Sequence, residues 1–489
     1  MKTKIKIILA VAALAVIAPS CEGFLDTETT GTATKEQIDE LGKTNPDAIK
    51  TVAYGTIQGV YGYMDEYAGN HDVFGHMSIG LAGDLMTEDI NQNVHHHFGF
   101  DYNIDNRQAT YRRTNNAWSY AYTVISKSNE IIGSVNPDVT DPDLKAYLGQ
   151  AFALRAMGLH IAIQRFQQTY KGNENAPGVP IYLTANDDEP TSQGRGTVQK
   201  VYDRIIKDLE RAIVLLDGYN RPAKTMVNKQ VAAGLLARVY MTTNDWVKAQ
   251  QMANMARQGY SLMTIAEARV DRYNSLLNKE WMWGALVTPE TTNMFASYQS
   301  HISSTAPGYA GAAGVYKSID AKLYSQISDN DLRKGYFSDG VTPAAEDGKL
   351  YPKFANLKFG NAAGWLNHNP YMRVAEMYLI EAEALARQGK GGEAATVLNA
   401  LLQNRISNFT PYGTVTAEQV FFHKRLECWG EGVIFYDYLR MKLPVNRNYD
   451  GTNHRTRLNL PAGDWRFIYQ LPQSEIDNNS EITQEEQNP

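Results

Sequence analysis

Three consecutive histidines, His95, His96 and His97, and the carboxylates Asp84, Glu88 and Asp89 just before them are the residues of this chain whose types first suggest chemistry. Adjacent histidines point in different directions in extended chain and on a helix, whereas a metal needs convergent ligands from separated positions, so the triplet reads as an exposed loop with no metal. A glycosidic acid–base pair must face itself across the scissile bond. Asp84 and Glu88, at i and i+4, could share a helix face, but a solvated turn is the simpler reading. Cys428 sits in a helical pattern with His423 off its face, so a buried, inert thiol is expected rather than a nucleophile. Gly42-Lys43-Thr44 lacks the glycine five residues earlier that a phosphate loop requires, and neither a His-Glu-x-x-His nor a Gly-x-Ser-x-Gly motif occurs. No catalytic constellation and no cofactor fingerprint emerges. Tyrosine is the type in excess, 29 against 15 Phe and 7 Trp, and a ring with one wet end suits binding surfaces as well as cores.

The 489 residues are 43% hydrophobic and 20% charged, enough for a large core and unlike a disordered or collagen-like chain. A net charge of -6 offers no field to gather nucleic acid. Lys2, Lys4 and Lys6 precede an unbroken apolar run, Ile7 to Ala18, that ends at Pro19-Ser20-Cys21. That is a secretory leader over 1–20, and a small residue followed at once by cysteine is the arrangement of a bacterial lipoprotein with lipid on Cys21. Residues 21–45, rich in Thr, Gly, Asp and Glu, suit a tether. No later stretch has the length of about 20 apolar residues that a membrane span needs.

The body carries a 3.6-residue period. Leu148, Phe152, Leu159, Ile163 and Phe166 fall on one face of a long helix; Val201 to Leu216 is another, opened by Thr197 and closed by Asp217-Gly218. Lys229 to Gln258 reads as two helices broken at Thr242 to Asp245, with Ala233, Leu236, Ala237, Tyr240, Ala249, Ala253 and Ala256 in the small-and-large pattern of a tetratricopeptide unit. Met372 to Asn404 repeats that pattern. The expectation is a mostly α fold built on about four tetratricopeptide-like hairpins with a few short strands, divided into an N-terminal region, 46–260, and a C-terminal region, 261–489. Trp281 and Trp283 alternate as in a strand, with at least one pointing inward. Three segments, Asp84 to Thr114, Val287 to Gly314 and Asp339 to Asn369, have no sustained period and read as long loops, which are more often functional than idle.

The ordered motifs resemble the SusD and RagB family of Bacteroidetes outer-membrane lipoproteins. They are Ser20-Cys21 with Phe24-Leu25-Asp26; Asn129-Glu130-Ile131-Ile132; Leu154-Arg155-Ala156 with Arg165-Phe166 and Gly178-Val179-Pro180-Ile181; Arg373 to Glu383; Arg425-Leu426-Glu427 with Glu431-Gly432 and Asp437 to Arg440; and Tyr469 to Glu475 with Asn488-Pro489. One departure stands out: the family usually has an arginine where Ile434 stands. The resemblance implies a non-catalytic lipoprotein on the outer membrane, facing the cell exterior, that binds a nutrient, usually an oligosaccharide or polysaccharide, as the lid of a SusC-like TonB-dependent transporter. It also gives the tyrosines a purpose, since sugar rings present apolar faces to aromatic platforms and hydroxyl edges to polar side chains. The candidate ligand-binding residues are Phe98, Tyr102, Asn103, Arg107 and Tyr111 from the first loop, Tyr298 and Tyr309 from the second and Trp365 from the third. For each ring the competing role is loop anchoring or core packing. Capture of a peptide, a surface glycoside hydrolase and a surface adhesin are the other readings. Arg373, Glu376, Glu383, Glu427 and Asp437 are expected to pair within the scaffold.

Overall fold

Capping residues set the frame. The structure, a computed structural model, describes residues 45–489 except 67–68, 185–186, 188–192, 306–308 and 361–365, so the leader, Cys21 and Trp365 lie outside the described residues. The described residues begin with α1 (Pro46–Tyr63) and α2 (His76–Asp84), pass through β1 (Ile90–Gln92) and α3 (Gly99–Asn103), and enter α4 (Arg112–Ser134) and α5 (Pro142–Phe166). Asp141 caps α5 by accepting from the N–H groups of Asp143 and Leu144, with Pro142 in the first turn. Next comes α6 (Val198–Leu215), opened by Thr197 as its sequence indicates. α7 (Lys229–Thr243) ends at Asn244, whose φ of 63° breaks the helix, and Asp245 caps α8 (Trp246–Arg257).

Farther along, besides short helices over Ile265–Val270, Ala321–Ser325 and Gln473–Asn478, come β2 (Trp281–Ala285), α9 (Tyr298–Ile302), α10 (Tyr309–Ala312), β3 (Lys317–Ile319), β4 (Asn369–Arg373), α11 (Val374–Arg387), α12 (Gly391–Leu402), α13 (Ala417–Glu427), α14 (Ile434–Arg440), β5 (Val445–Asn446) and β6 (Asn459–Leu460). Strands pair antiparallel as β1 with β3, β2 with β4 and β5 with β6. Two of the three segments read as loops thus contain short elements; runs of three to five residues are too short to set a period.

Lys50–Pro489 is one compact unit. Eight of its helices lie in a row: α4 packs on α5, α5 on α6, α6 on α7, α7 on α8, α8 on α11, and α11 on both α12 and α13. Small residues permit this. A Cβ on Gly158 of α5 would sit 2.8 Å from Ile125 and 2.9 Å from the Ala121 carbonyl of α4, and Ala233, Ala237, Ala249, Ala253 and Ala256 are fully buried. α5 is not the one-faced helix its period suggests: 19 of its 25 residues are buried, because neighbours cover it all round. Trp281 and Trp283 are both in the core.

The motif residues are the cross-links of this body. Arg155 reaches Asp208 at 2.8 Å and Asp187 at 3.0 Å; Glu376 takes Arg238 at 2.6 Å; Glu383 takes Arg440 at 2.6 Å; Asp437 takes Lys424 at 2.8 Å. Asn488 donates to the Phe166 and Tyr469 carbonyls, fastening the last residues to α5. At the departure, Ile434 is buried and its N–H donates to Asp84 at 3.0 Å. Glu431 is paired from another direction, by Lys358 and Arg373. No helix among the described residues is long and apolar enough to cross a membrane.

Candidate ligand-binding site

The row of helices holds three loops against one another, and histidines join them. His301, on α9, directs Nε2 at the carbonyl oxygens of His71 at 2.8 Å and Phe295 at 3.0 Å. Both partners are acceptors, so Nε2 carries the proton, and burial holds the ring neutral by pushing its pKa well below the usual value. His71 Nδ1 and His97 Nε2 are 3.1 Å apart. One must donate and the other accept, so at least one ring is neutral. Phe295 stacks on His71 with centroids 5.4 Å apart and planes 14° apart, and His95 meets Phe100 edge-on at 5.0 Å. Arg112 reaches Asp72 at 2.8 Å and so ties the start of α4 to the loop that carries His71.

The surface of this cluster is aromatic. Phe100, Tyr111 and Phe295 are 48%, 46% and 41% exposed, the values of rings lying open to solvent; Phe295 lies on His71, Phe100 meets His95, and Tyr111 precedes Arg112 in the chain. Platforms bordered by donors and acceptors can take an amphipathic ligand such as a sugar ring or a peptide side chain. Among the described residues no group of three or more His, Cys, Asp and Glu could hold a metal ion.

Several residues chosen from the sequence lie elsewhere. Phe98, Tyr102, Arg107 and Tyr298 are interior, a correction to their expected role as contact surface. Phe98 packs on Phe74 and His301 beneath Arg113. The Tyr102 hydroxyl donates to Asn91 at 2.9 Å and lies 3.0 Å from His454, with Arg447 over its ring. The Arg107 guanidinium lies 4.4 Å over the Tyr469 ring. Tyr298 donates to the Gly430 carbonyl at 2.5 Å, and burial pushes its hydroxyl well above the ordinary range. These are the anchors that hold the loops. Asn103 is half-buried and accepts from Thr456 at 2.8 Å. Tyr111 alone of the described candidates keeps an open ring. Tyr309 opens α10, but its side chain, like Trp365, lies outside the described residues.

The sequence reasoning missed Phe100, Phe295, His71 and the use made of His95 and His97. The carboxylates weighed as glycosidase groups are engaged: Asp84 accepts from the N–H groups of Gly432, Ile434 and Phe435, while Glu88 and Asp89 hold Arg425 at 3.2 and 2.5 Å. Two other concavities are less suited to a ligand. An internal cavity of about 70 Å³ between α2, α5, α7, α11 and α14, lined by His76, His160, Arg238, Glu376 and Asp437, has room for a few waters only. A groove of about 680 Å³ near Arg272, Tyr324 and Thr342 has Lys334 already over its tyrosine ring.

The helical scaffold and its loops have counterparts. Residues 56–241 match the family model described as "Starch-binding associating with outer membrane", and residues 330–489 match the SusD family model. The chain belongs to the SusD family. It is 22% identical over 430 residues to SusD-like protein P2 of Formosa agariphila, covering 75% of this chain and 78% of that one. It is equally identical over 483 residues to SusD-like protein P38 of the same organism, covering 87% and 89%. Its fold superposes on a SusD-like carbohydrate binding protein from Bacteroides vulgatus with a TM-score of 0.76, at 24% identity over 89% of this chain and 98% of that one. The surface glycan-binding protein A from Bacteroides thetaiotaomicron, solved with laminarihexaose, superposes with a TM-score of 0.66 at 18% identity, over 90% and 99%.

Proposed function

We propose that this protein is a non-enzymatic outer-membrane lipoprotein that faces the cell exterior, captures an oligosaccharide or polysaccharide on the His71–Phe295 patch, and acts as the lid of a SusC-like TonB-dependent transporter. The observation that carries the binding role is the pair of open rings, Phe100 and Phe295, set against His95 and His71, with the open ring of Tyr111 as a further platform. Relatives whose names state carbohydrate, laminarin or laminarihexaose binding support a glycan as the ligand. Tyr309 and Trp365 are proposed to extend the platform. The lipid anchor rests on Ser20-Cys21 at the end of the apolar run, and the lid role rests on family membership. The paired helices α7–α8 and α11–α12, with their buried alanines, are read as tetratricopeptide-like hairpins.

Titration calorimetry of the mature lipoprotein in detergent against neutral and charged oligosaccharides and a peptide panel tests this. One glycan class should give heat, and Phe295→Ala should weaken binding about tenfold, or ~1.4 kcal/mol, with the thermal midpoint unchanged. Heat from peptides alone would overturn the glycan reading.

A further inference from the structure

Under the patch lies Lys317, a buried amine with no acidic partner among the described residues. The β1–β3 ladder sets Gln92 opposite Lys317, so both side chains leave the ribbon on one face. Lys317 is 1% exposed and Gln92 fully buried, and among the described residues neither Lys317 Nζ nor Gln92 Oε1 has a hydrogen-bond partner. His96 and His301 lie in the field of that ammonium, which adds to burial in keeping both rings neutral. Burial also lowers Lys317 itself, to about 7.

The neighbouring acids are engaged elsewhere. Asp72 is shared by Arg112 and Arg113, Asp101 pairs with Arg113, and Asp89, next to β1, holds Arg425. The histidines around the patch add ring N–H donors and no negative charge. Desolvating an ammonium without a counter-charge is costly, and this protein avoids it at the base of α11, where Arg333, Lys358, Arg373 and Arg405 meet Asp331, Glu280, Glu427 and Glu431. Lys317 lacks that compensation among the described residues, and it sits beneath the surface that a ligand reaches.

We propose that the glycan taken by this patch is anionic, carrying a carboxylate or sulfate whose oxyanion seats on His96 and His97 above Lys317. This rests on the glycan-binding reading and names its substrate class. Both groups offer the same chemistry, an oxyanion on a sugar ring that accepts hydrogen bonds from imidazole N–H groups and gains from a positive charge in a poorly solvated base. His96 and His97 are half-exposed, so the anion approaches from solvent, and Lys317 acts on it through the field it exerts at His96. An anion there favours the protonated lysine, so binding takes up a proton near neutral pH.

Calorimetry of the mature lipoprotein with an oligogalacturonate, a sulfated galactan oligosaccharide and laminarihexaose, in buffers of different ionisation enthalpy, tests the proposal. One of the two anionic sugars should bind at least about tenfold more tightly than the neutral one, with proton uptake, and the preference should shrink with added salt and as pH rises from 6 to 8.5. Which arm responds distinguishes carboxylate from sulfate. Lys317→Met keeps the aliphatic length, removes the charge and should abolish the preference for the anionic sugar. The wild-type salt and pH series decides the matter even if that variant does not fold. Equal affinity for neutral and anionic sugars, insensitive to salt and to Lys317→Met, overturns this inference and leaves glycan capture standing. Heat from peptides with silence from all three sugars overturns both.

Discussion

Arg373 and Glu427, 54 residues apart in the chain, meet at 3.2 Å with no solvent exposure on either side chain. Arg373 also takes Glu280 at 2.8 Å and Glu431 at 2.6 Å, and Arg405 braces Glu280 and Glu427 from the other side. Burial alone would raise the Glu427 carboxyl, yet Arg405 and Arg373 hold it well below the usual carboxylate range. The same residues carry the family resemblance, so one of its signatures marks a structural joint between β4 and α13 rather than a ligand contact.

Breaking that joint leaves carboxylates buried with too few cations. Arg373→Met should lower unfolding stability by about 3–5 kcal/mol, because a buried charge that loses its partner costs more than the pair contributes. Urea unfolding followed by circular dichroism measures this. A loss below about 1 kcal/mol would mean that the cluster is hydrated and the joint weak.

Tyr298 separates anchoring from binding. Its hydroxyl donates to the Gly430 carbonyl and its ring meets Phe359 edge-on at 5.4 Å. Tyr298→Phe keeps the ring and deletes one buried hydrogen bond, so stability should fall by about 1 kcal/mol with glycan affinity within twofold of wild type. A tenfold loss of affinity at unchanged stability would place Tyr298 at the ligand instead.

How much of this was legible depends on the distance over which each feature is decided. Thr197 as a cap and the break before Asp245 are local and were readable from a few residues. The pairing of Glu376 with Arg238, or of Arg155 with Asp208, joins elements far apart, and only the charge and apolar context of each residue hinted at it. The aromatic loops show the limit most sharply. Phe295 and Tyr298 lie three residues apart in one polar loop, yet Tyr298 begins the five-residue α9 and turns inward while Phe295 stays outside on His71. No periodicity in so short an element distinguishes them. The histidine triplet was visible as a loop, but its convergence with His71 and His301 is set by tertiary packing.

His423 makes the fold acid-sensitive in a defined window. Its Nδ1 accepts from the Arg333 guanidinium at 3.0 Å, while Arg333 itself is held by Asp331 at 2.7 Å. Burial first, and Arg333 second, lower His423 to about 3. The unfolded chain takes up this proton near pH 6.5, so between about 6.5 and 3 it binds more protons than the folded one. The contribution of a neutral His423 is therefore fully present above pH 6.5 and declines as the pH falls. His423→Asn retains an acceptor that does not titrate. From pH 7 to pH 5 the wild type should lose about 2 kcal/mol more stability than this variant, measured as the difference between their urea-unfolding free energies at the two pH values. Parallel losses would show that His423 is protonated in the folded state and that Arg333 has turned its guanidinium away to another acceptor.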